Sequence, residues 1–304
     1  MTINSKVSLD MQAPPASEGV PRRLSGSRHR LLKKLSGNAM VVLGGSVVFL
    51  LVLVALFGPL IVPHGPMSID TSSRLEGPSA QHWMGTDNYG RDLAARVVVG
   101  ARVSLTVGAT TAFFASLLGT AFGLLAAYNR VADAILMRIA DGLMAFPAIL
   151  LAIAIMVAMG PRLSNIILAL SVVFAPYVAR VVRSSALVIR EQTFVEALRA
   201  QQANWMRILW LNIAPNVLSP LIVQATFIFA DAIIVEAALS FLGAGVPPPQ
   251  PSWGNTLLDG KSFIFNAWWL TVFPGIAIMT LVTGINLLGD GLRDVFDPKF
   301  RGRA

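Results

Sequence analysis

Long uncharged apolar runs constrain this chain more than any other feature. Residues 39–62 form a run of 24 residues without one charged side chain, and five later stretches resemble it. About 20 mostly apolar residues suffice for a helix to cross a bilayer. Charged residues make up only 13% of the 304, and mean hydropathy is +0.66, so a soluble globule is excluded. The sequence predicts an all-α membrane protein.

Six transmembrane helices are predicted from these runs. Their approximate bounds are 39–62, 103–128, 143–160, 166–188, 217–242 and 268–288. We expect four parts along the chain, namely a basic N-terminal tail (1–36), the first span with the loop after it (37–98), a core of five spans (99–292) and a C-terminal tail (293–304).

Basic residues are distributed unevenly between the two sides that six spans define. Of the 24 Lys and Arg residues, 18 fall in the two tails and in the loops at 129–142 and 180–216. Because such residues concentrate in cytoplasmic loops, both termini are predicted to be cytoplasmic. The net charge of +8 fits membrane orientation and contact with lipid. Nucleic-acid binding is not expected, since the basic residues are not interleaved with aromatic residues.

The loop at 193–220 has a polar, basic beginning and an amphipathic continuation. Apolar residues recur at helical spacing between Trp205 and Leu211. Two short helices joined near Gln202 are predicted, with Pro215 and Asn216 ending the second one before the next span. By spacing alone, a generic surface helix is an equally good interpretation.

A turn-rich cluster of opposite charges precedes the second span. Its members are Gly85, Asp87, Gly90, Arg91 and Asp92. Turn-forming residues with paired charges predict a small ordered lid with a structural role.

Two carboxylates lie within the fifth predicted span, where an unpaired charge is costly. Glu236 is near the outer boundary, so a hydrogen-bonded structural role is predicted for it. Asp231 is nearer the middle, and we expect it to line a translocation path.

Signs of catalysis and of metal binding are missing from the sequence. The stretch 260–262 spells the end of a phosphate-binding loop, but Asn255 occupies a position that requires glycine. The three histidines, His29, His64 and His82, are predicted to be solvated loop residues without a metal site, and cysteine is absent. The sequence therefore predicts neither an enzyme nor a cofactor bound by this chain.

Several of these stretches resemble one family. The loop at 193–220 resembles the EAA signature of ABC importer permeases, with Glu196, Ala197 and Pro215 at matching positions. Residues 82–105, 236–253 and 287–300 are similar to parts of the C-type permease subunit of dipeptide and oligopeptide importers. The resemblance extends from about Met40 onward.

The resemblance implies a type I ABC importer permease whose loop couples to an ATPase. The residues assigned to coupling on this basis are Glu196, Ala197, Arg199, Gln202, Ala203, Ile208, Pro215 and Asn216. The sequence departs from the signature at Leu198, Gln202 and Ala214. Where glycine would form a left-handed linker, Gln202 costs about 1 kcal/mol if the geometry is kept.

The partners implied by the resemblance are a homologous permease subunit in a heterodimer, two ATP-binding subunits that hold ATP and Mg, and an extracytoplasmic substrate-binding protein. The location implied is the bacterial inner membrane. Peptides are the expected cargo, with glutathione-like peptides, nickel chelates and opines left open. The alternatives are an ion-coupled secondary transporter, which would show inverted repeats, and a membrane scaffold that transports nothing.

Overall fold

A computed structural model describes residues 34–296, and this part of the chain is almost entirely helical. Its main helices are α1 Ala39–Ile61, α2 Leu93–Tyr128, α3 Arg130–Met144, α4 Ala148–Met159, α5 Leu163–Arg190, α6 Thr193–Ala200, α7 Trp205–Phe241, α8 Trp253–Lys261 and α9 Trp269–Phe296. An isolated bridge between Thr86 and Asp92 is the sole β-type pairing in the described residues. Residues 1–33 and 297–304, which include His29 and the end of the 287–300 motif, lie outside them.

Five helices are long and apolar enough to cross a membrane, namely α1, α2, α5, α7 and α9. They match five of the six predicted spans. The largest buried cluster lies between α2, α5 and α7, and Leu124, Leu170 and Ile228 belong to it. A second cluster includes Trp253 and Leu281 and joins α1, α2, α8 and α9.

The predicted third span, 143–160, is altered in the structure. Helix α3 ends at Met144, and Pro147 precedes α4, with a bend of 94° between the two helices. Proline disfavours a helical residue before it, which explains the break. Helix α4 has 12 residues, about 18 Å at 1.5 Å per residue, which is shorter than a core about 30 Å thick. Taken together, α3 and α4 are long and apolar enough to form the sixth span as a bent pair.

Helix α7 is continuous through the proline that was predicted to end a helix. Residues Ile208–Ile213 are π-helical, and the chain continues through Ala214–Phe241 as α-helix. The prediction that Pro215 and Asn216 stop the helix is therefore wrong. A π-helical turn before the proline changes the hydrogen-bonding pattern where the ring would otherwise clash with the preceding turn. Asn216 Nδ2 also donates to Asn212 O over 2.6 Å.

Candidate functional site

The turn between α6 and α7 has the hydrogen bonds of a Schellman motif. Gln202 N–H donates to Arg199 O over 2.9 Å, and Ala203 N–H donates to Leu198 O over 3.1 Å. Gln202 has a φ of +55°, in the left-handed region. This motif normally takes glycine at the left-handed position. The backbone therefore keeps the geometry of a glycine linker although the residue is glutamine.

The end of α7 shows the same motif with the usual residue. Gly243 N–H donates to Ser240 O over 3.1 Å, and Ala244 N–H donates to Leu239 O over 2.9 Å. Gly243 has a φ of +80°. The chain therefore closes two helices with one backbone pattern and differs only in the side chain that it places there.

One face of the α6–α7 loop is held firmly against the membrane helices. The side chains on this face are Val195, Ile208, Leu209 and Ile213, each at most 1% exposed. The Trp205 ring lies 5.5 Å from the Tyr128 ring at the end of α2. Arg190 Nη1 donates to Ala127 O over 2.7 Å, so the ends of α2 and α5 are also joined here.

The opposite face of this loop is exposed. Of the residues assigned to coupling, six lie on it, namely Glu196, Ala197, Arg199, Gln202, Pro215 and Asn216. Ala203 is partly buried, and Ile208 belongs to the anchored face instead. Large apolar side chains accompany the exposed residues, including Met206 and Leu211 at 54% and 68% exposed. The loop thus presents a mixed charged and apolar surface on a rigid base.

Helix α3 is held beside this region by ion pairs that sequence reasoning missed. Arg183 Nη2 donates to Asp133 Oδ2 over 2.7 Å, and Arg180 Nη2 donates to Asp141 Oδ1 over 2.7 Å. The partners lie 50 and 39 positions apart along the chain, so no local spacing could indicate them. The pairs keep α3 on α5 despite the bend that follows.

Asp231 lies on a face of α7 that other membrane helices leave open. Its side chain is exposed, and within residues 34–296 it has no hydrogen bond or ion pair. One helical turn earlier, Phe227 lines a cleft of about 460 Å³ between α5, α7 and α9, and Gln224 and Arg293 line it too. An unpaired carboxylate on such a face requires water, a partner subunit or a solute beside it.

Glu236 is buried and hydrogen-bonded to two serines. Its side chain is fully buried, Ser240 Oγ donates to Oε1 over 2.8 Å, and Ser104 Oγ of α2 donates to Oε2 over 3.4 Å. Ser240 Oγ also accepts from Val246 N–H over 3.1 Å. The carboxylate therefore joins α2, α7 and the loop after α7.

Two aspartates and two arginines form a cluster near the start of α2. Buried Asp87 accepts from Arg91 Nε over 2.7 Å and from the backbone N–H groups of Tyr89 and Arg91 over 2.8 and 2.9 Å. Arg91 and Arg96 both reach Asp259 Oδ2 of α8, over 3.3 and 3.1 Å. These ion pairs tie the loop before α2 to α8.

Arg96 and Asp259 were absent from the sequence-based assignment of this cluster. Arg96 follows the turn-rich stretch and belongs to the helix after it. Asp259 is 163 positions further along the chain than Arg96. Their pairing depends on the packing of α8 against α2, which the charge pattern of the loop does not show.

His82 and Asp92 form a second polar contact in the same loop. Asp92 caps α2 by accepting from Ala95 N–H over 2.8 Å, and its other oxygen lies 2.9 Å from His82 Nδ1. His82 is 9% exposed, so the prediction of a solvated loop histidine is wrong for it. The contact joins positions ten residues apart through a folded loop, without helical or strand spacing.

Comparison with known proteins gives the family. The family described as "Binding-protein-dependent transport system inner membrane component" matches residues 119–302, and "N-terminal TM domain of oligopeptide transport permease C" matches residues 28–78. A dipeptide transport system permease protein of Alkalihalophilus pseudofirmus is 45% identical over 88% of this chain and 89% of its own length. The chain belongs to the dipeptide/oligopeptide group of binding-protein-dependent transport permeases.

Further relatives agree with this permease family. A glutathione transport system permease protein of Pectobacterium atrosepticum is 40% identical over 86% of this chain and 88% of its own length. A chain of the MetNI methionine ABC transporter, solved in an inward-facing conformation, matches with a TM-score of 0.56 over 66% of this chain and 96% of its own length, at 24% identity. The latter likeness concerns the fold alone. The permease is a multi-pass inner-membrane protein, and the ion-coupled alternative has no support.

Proposed function

We propose that this permease carries the force of ATP hydrolysis from a separate ATPase to a solute path in the membrane. The observation that carries the proposal is the α6–α7 loop, which is anchored on one face and exposes apolar and charged side chains on the other. Exposed apolar side chains rimmed by polar ones are typical of a protein docking surface. The ATPase subunits dock there and hold ATP and Mg.

Helix α7 supplies a route for the motion. It runs continuously for 37 residues, about 55 Å at 1.5 Å per residue, from the exposed coupling face to the loop beyond Glu236. Because Ile208 and Leu209 anchor its first turns, a push on α6 tilts α7 as one body. Asp231 moves with it, and the path switches between its inward and outward openings.

The open surfaces of the chain support a proposal for the assembly. The exposed face of α7 that carries Asp231 packs against a homologous permease subunit, and the solute path lies at that interface. A substrate-binding protein delivers the solute at the opposite end of α7 from the coupling loop. Both termini are cytoplasmic, as the distribution of basic residues predicts.

Peptides are the proposed cargo, within the range that the relatives' names span, from dipeptides to glutathione. Glutathione is itself a small peptide, so a short peptide backbone is the common chemistry.

Co-purification tests the coupling surface. The complex is purified through a tag on this chain, and the ATPase subunits are quantified for wild type, Glu196→Arg and Glu76→Arg. Glu76 is also exposed but lies in the α1–α2 loop, near the opposite end of the molecule, so its reversal is the matched control. We expect Glu196→Arg alone to lose the ATPase. Equal recovery from all three would refute the coupling role, and a chain that never binds an ATPase would indicate a scaffold.

Uptake by reconstituted complexes tests the path. Asp231→Asn removes a charge that has no partner within the described chain, so folding tolerates it while dipeptide uptake falls or changes its selectivity. Asp290→Asn, an exposed aspartate on α9, is the control and retains uptake. Unchanged rate and selectivity for Asp231→Asn in a fully assembled complex would exclude Asp231 from the path.

A further inference from the structure

The α1–α2 loop brings together three side chains of types that commonly ligate metals. His64 follows α1, His82 lies in the middle of the loop, and Asp92 stands at the start of α2. One ligand atom from each residue lies within 4.8 Å of the other two. His82 Nδ1 is 2.9 Å and His64 Nδ1 is 3.7 Å from the same oxygen, Asp92 Oδ2.

We propose that His64, His82 and Asp92 bind one divalent transition-metal ion of the Zn²⁺ type. Imidazole nitrogen and carboxylate oxygen bind Zn²⁺ at about 2.0 to 2.2 Å, which places neighbouring tetrahedral ligands about 3.3 to 3.5 Å apart. The two separations, 2.9 and 3.7 Å, lie on either side of that value. Closing the site requires shifts of less than an ångström in these two contacts. The ligating nitrogens of the two histidines, which lie within 4.8 Å of each other, must approach by up to about 1.5 Å.

The donor set and the burial favour a transition metal over Ca²⁺ or Mg²⁺. Those ions take six or more oxygen ligands, or keep several waters, whereas two of the three donors here are imidazoles. Asp92 and His82 are largely buried, with side chains 2% and 11% exposed, while the His64 side chain is 42% exposed. The ion thus has a fixed base on one side and an open fourth position for water beside His64.

The site is already partly held in place without the ion. Asp92 Oδ1 is engaged by Ala95 N–H, which fixes the carboxylate and leaves Oδ2 pointing to the histidines. The His64 and His82 rings are 4.8 Å apart between centroids. Metal binding replaces the His82 contact with Asp92 and displaces any proton on the ligating nitrogens.

A bound ion would cross-link the two ends of the α1–α2 loop. Between His64 and Asp92 the chain has no long helix, and the metal would join the residues after α1 directly to the first turn of α2. Binding to the folded state alone raises stability with ligand concentration. The proposal is independent of peptide transport and of which side of the membrane the loop faces.

Zinc titration of the purified full-length chain tests the proposal. The chain carries an affinity tag without histidine, is stripped with chelator, and is then measured by calorimetry, bound-metal analysis and thermal unfolding. We expect one Zn²⁺ per chain, a higher unfolding temperature with Zn²⁺, and no effect of Mg²⁺ at the same concentration.

Variants at the exposed ligand make the test specific. Loss of a residue that only supports a ligand lowers metal affinity about 10- to 100-fold, and we expect His64→Ala, which removes a ligand, to lower zinc affinity at least as much. His64→Cys retains binding because thiolate ligates zinc. His29→Ala is the control and binds like wild type. Stoichiometric binding that survives in His64→Ala, or its absence from the wild type, would overturn the site without affecting the proposed transport function.

Discussion

Position 202 is the residue at which the loop between α6 and α7 turns. Its φ of +55° belongs to the left-handed region, where a side chain costs about 1 to 2 kcal/mol. The Schellman hydrogen bonds from Gln202 and Ala203 hold the turn in spite of this cost. An exposed carboxamide consequently stands in the middle of the proposed docking surface, where glycine would offer none.

Gln202→Gly separates the effect on the turn from the effect on docking. We expect the variant to be more stable by about 1 kcal/mol, because glycine adopts the left-handed conformation freely. Gln201→Gly is the matched control, since Gln201 has a φ of −80°, and there glycine gains nothing. Thermal unfolding in detergent measures both, and a Gln202→Gly protein no more stable than wild type would show that the turn carries no strain.

The backbone at Gly90 leaves no room for a side chain. Its φ is +76°, and a Cβ atom there would lie 1.7 Å from Asp70 O. Gly90→Ala should therefore destabilise the loop by about 3 kcal/mol or more. Gly65→Ala in the same loop, where the nearest atom is 3.9 Å away, should change stability by less than about 0.5 kcal/mol. Limited proteolysis and thermal unfolding distinguish them, and equal behaviour would contradict the close approach of Gly90 to Asp70.

At the scale of elements, charge clusters hold short helices to long ones. Helix α8 has nine residues and is fixed by Asp259 to Arg91 and Arg96 at the start of α2. Burial raises the pKa of the Asp259 carboxyl. The positive charges of Arg96 and Arg91 lower this pKa, and the negative charge of Asp87 raises it further. The contribution of the contact between α2 and α8 to the stability of the protein should therefore depend on pH.

The pH dependence has a definite direction. A carboxyl with a raised pKa binds its proton more tightly in the folded state, so its contribution to stability is complete at acidic pH and is lost as pH rises above about 4. The Asp259→Asn variant does not titrate at this position. We expect the unfolding temperature of wild type to fall relative to that of Asp259→Asn between about pH 4 and pH 7. A shift in favour of wild type would mean that the arginines outweigh burial.

Elements could be predicted from the sequence where periodicity and length decide them. Five spans can be predicted from apolar runs alone. The turn between two helices near Gln202 can be predicted from the amphipathic pattern. The bend before α4 and the continuity of α7 through Pro215 could not be derived in this way, because each depends on how a helix repacks around a proline. The pairs Arg183 with Asp133 and His82 with Asp92 required the tertiary fold.

At the scale of the whole molecule, α1 is attached differently from the other long helices. Its buried residues are Gly44, Ala55 and Gly58, whereas α2 and α5 share an extensive buried core. Small residues let helix backbones approach closely in a membrane, and here they form the contact of α1 with α2 and α9. Treating residues 37–98 as a part separate from the core stays a proposal, and its boundary lies within α2, which begins at Leu93.

Two adjacent glycines in α1 allow that attachment to be tested. A Cβ atom on Gly44 would lie 2.4 Å from Leu288 N and 2.5 Å from Gly284 O of α9, whereas one on Gly45 would meet nothing closer than 3.9 Å. Gly44→Val should push α1 off α9 and lower stability by about 1 to 3 kcal/mol, while Gly45→Val should be tolerated. Thermal unfolding and protease cleavage after α1 report the change. If both valines are tolerated equally, α1 reaches the rest of the chain through other contacts, and the first span does not need the last one to stay in place.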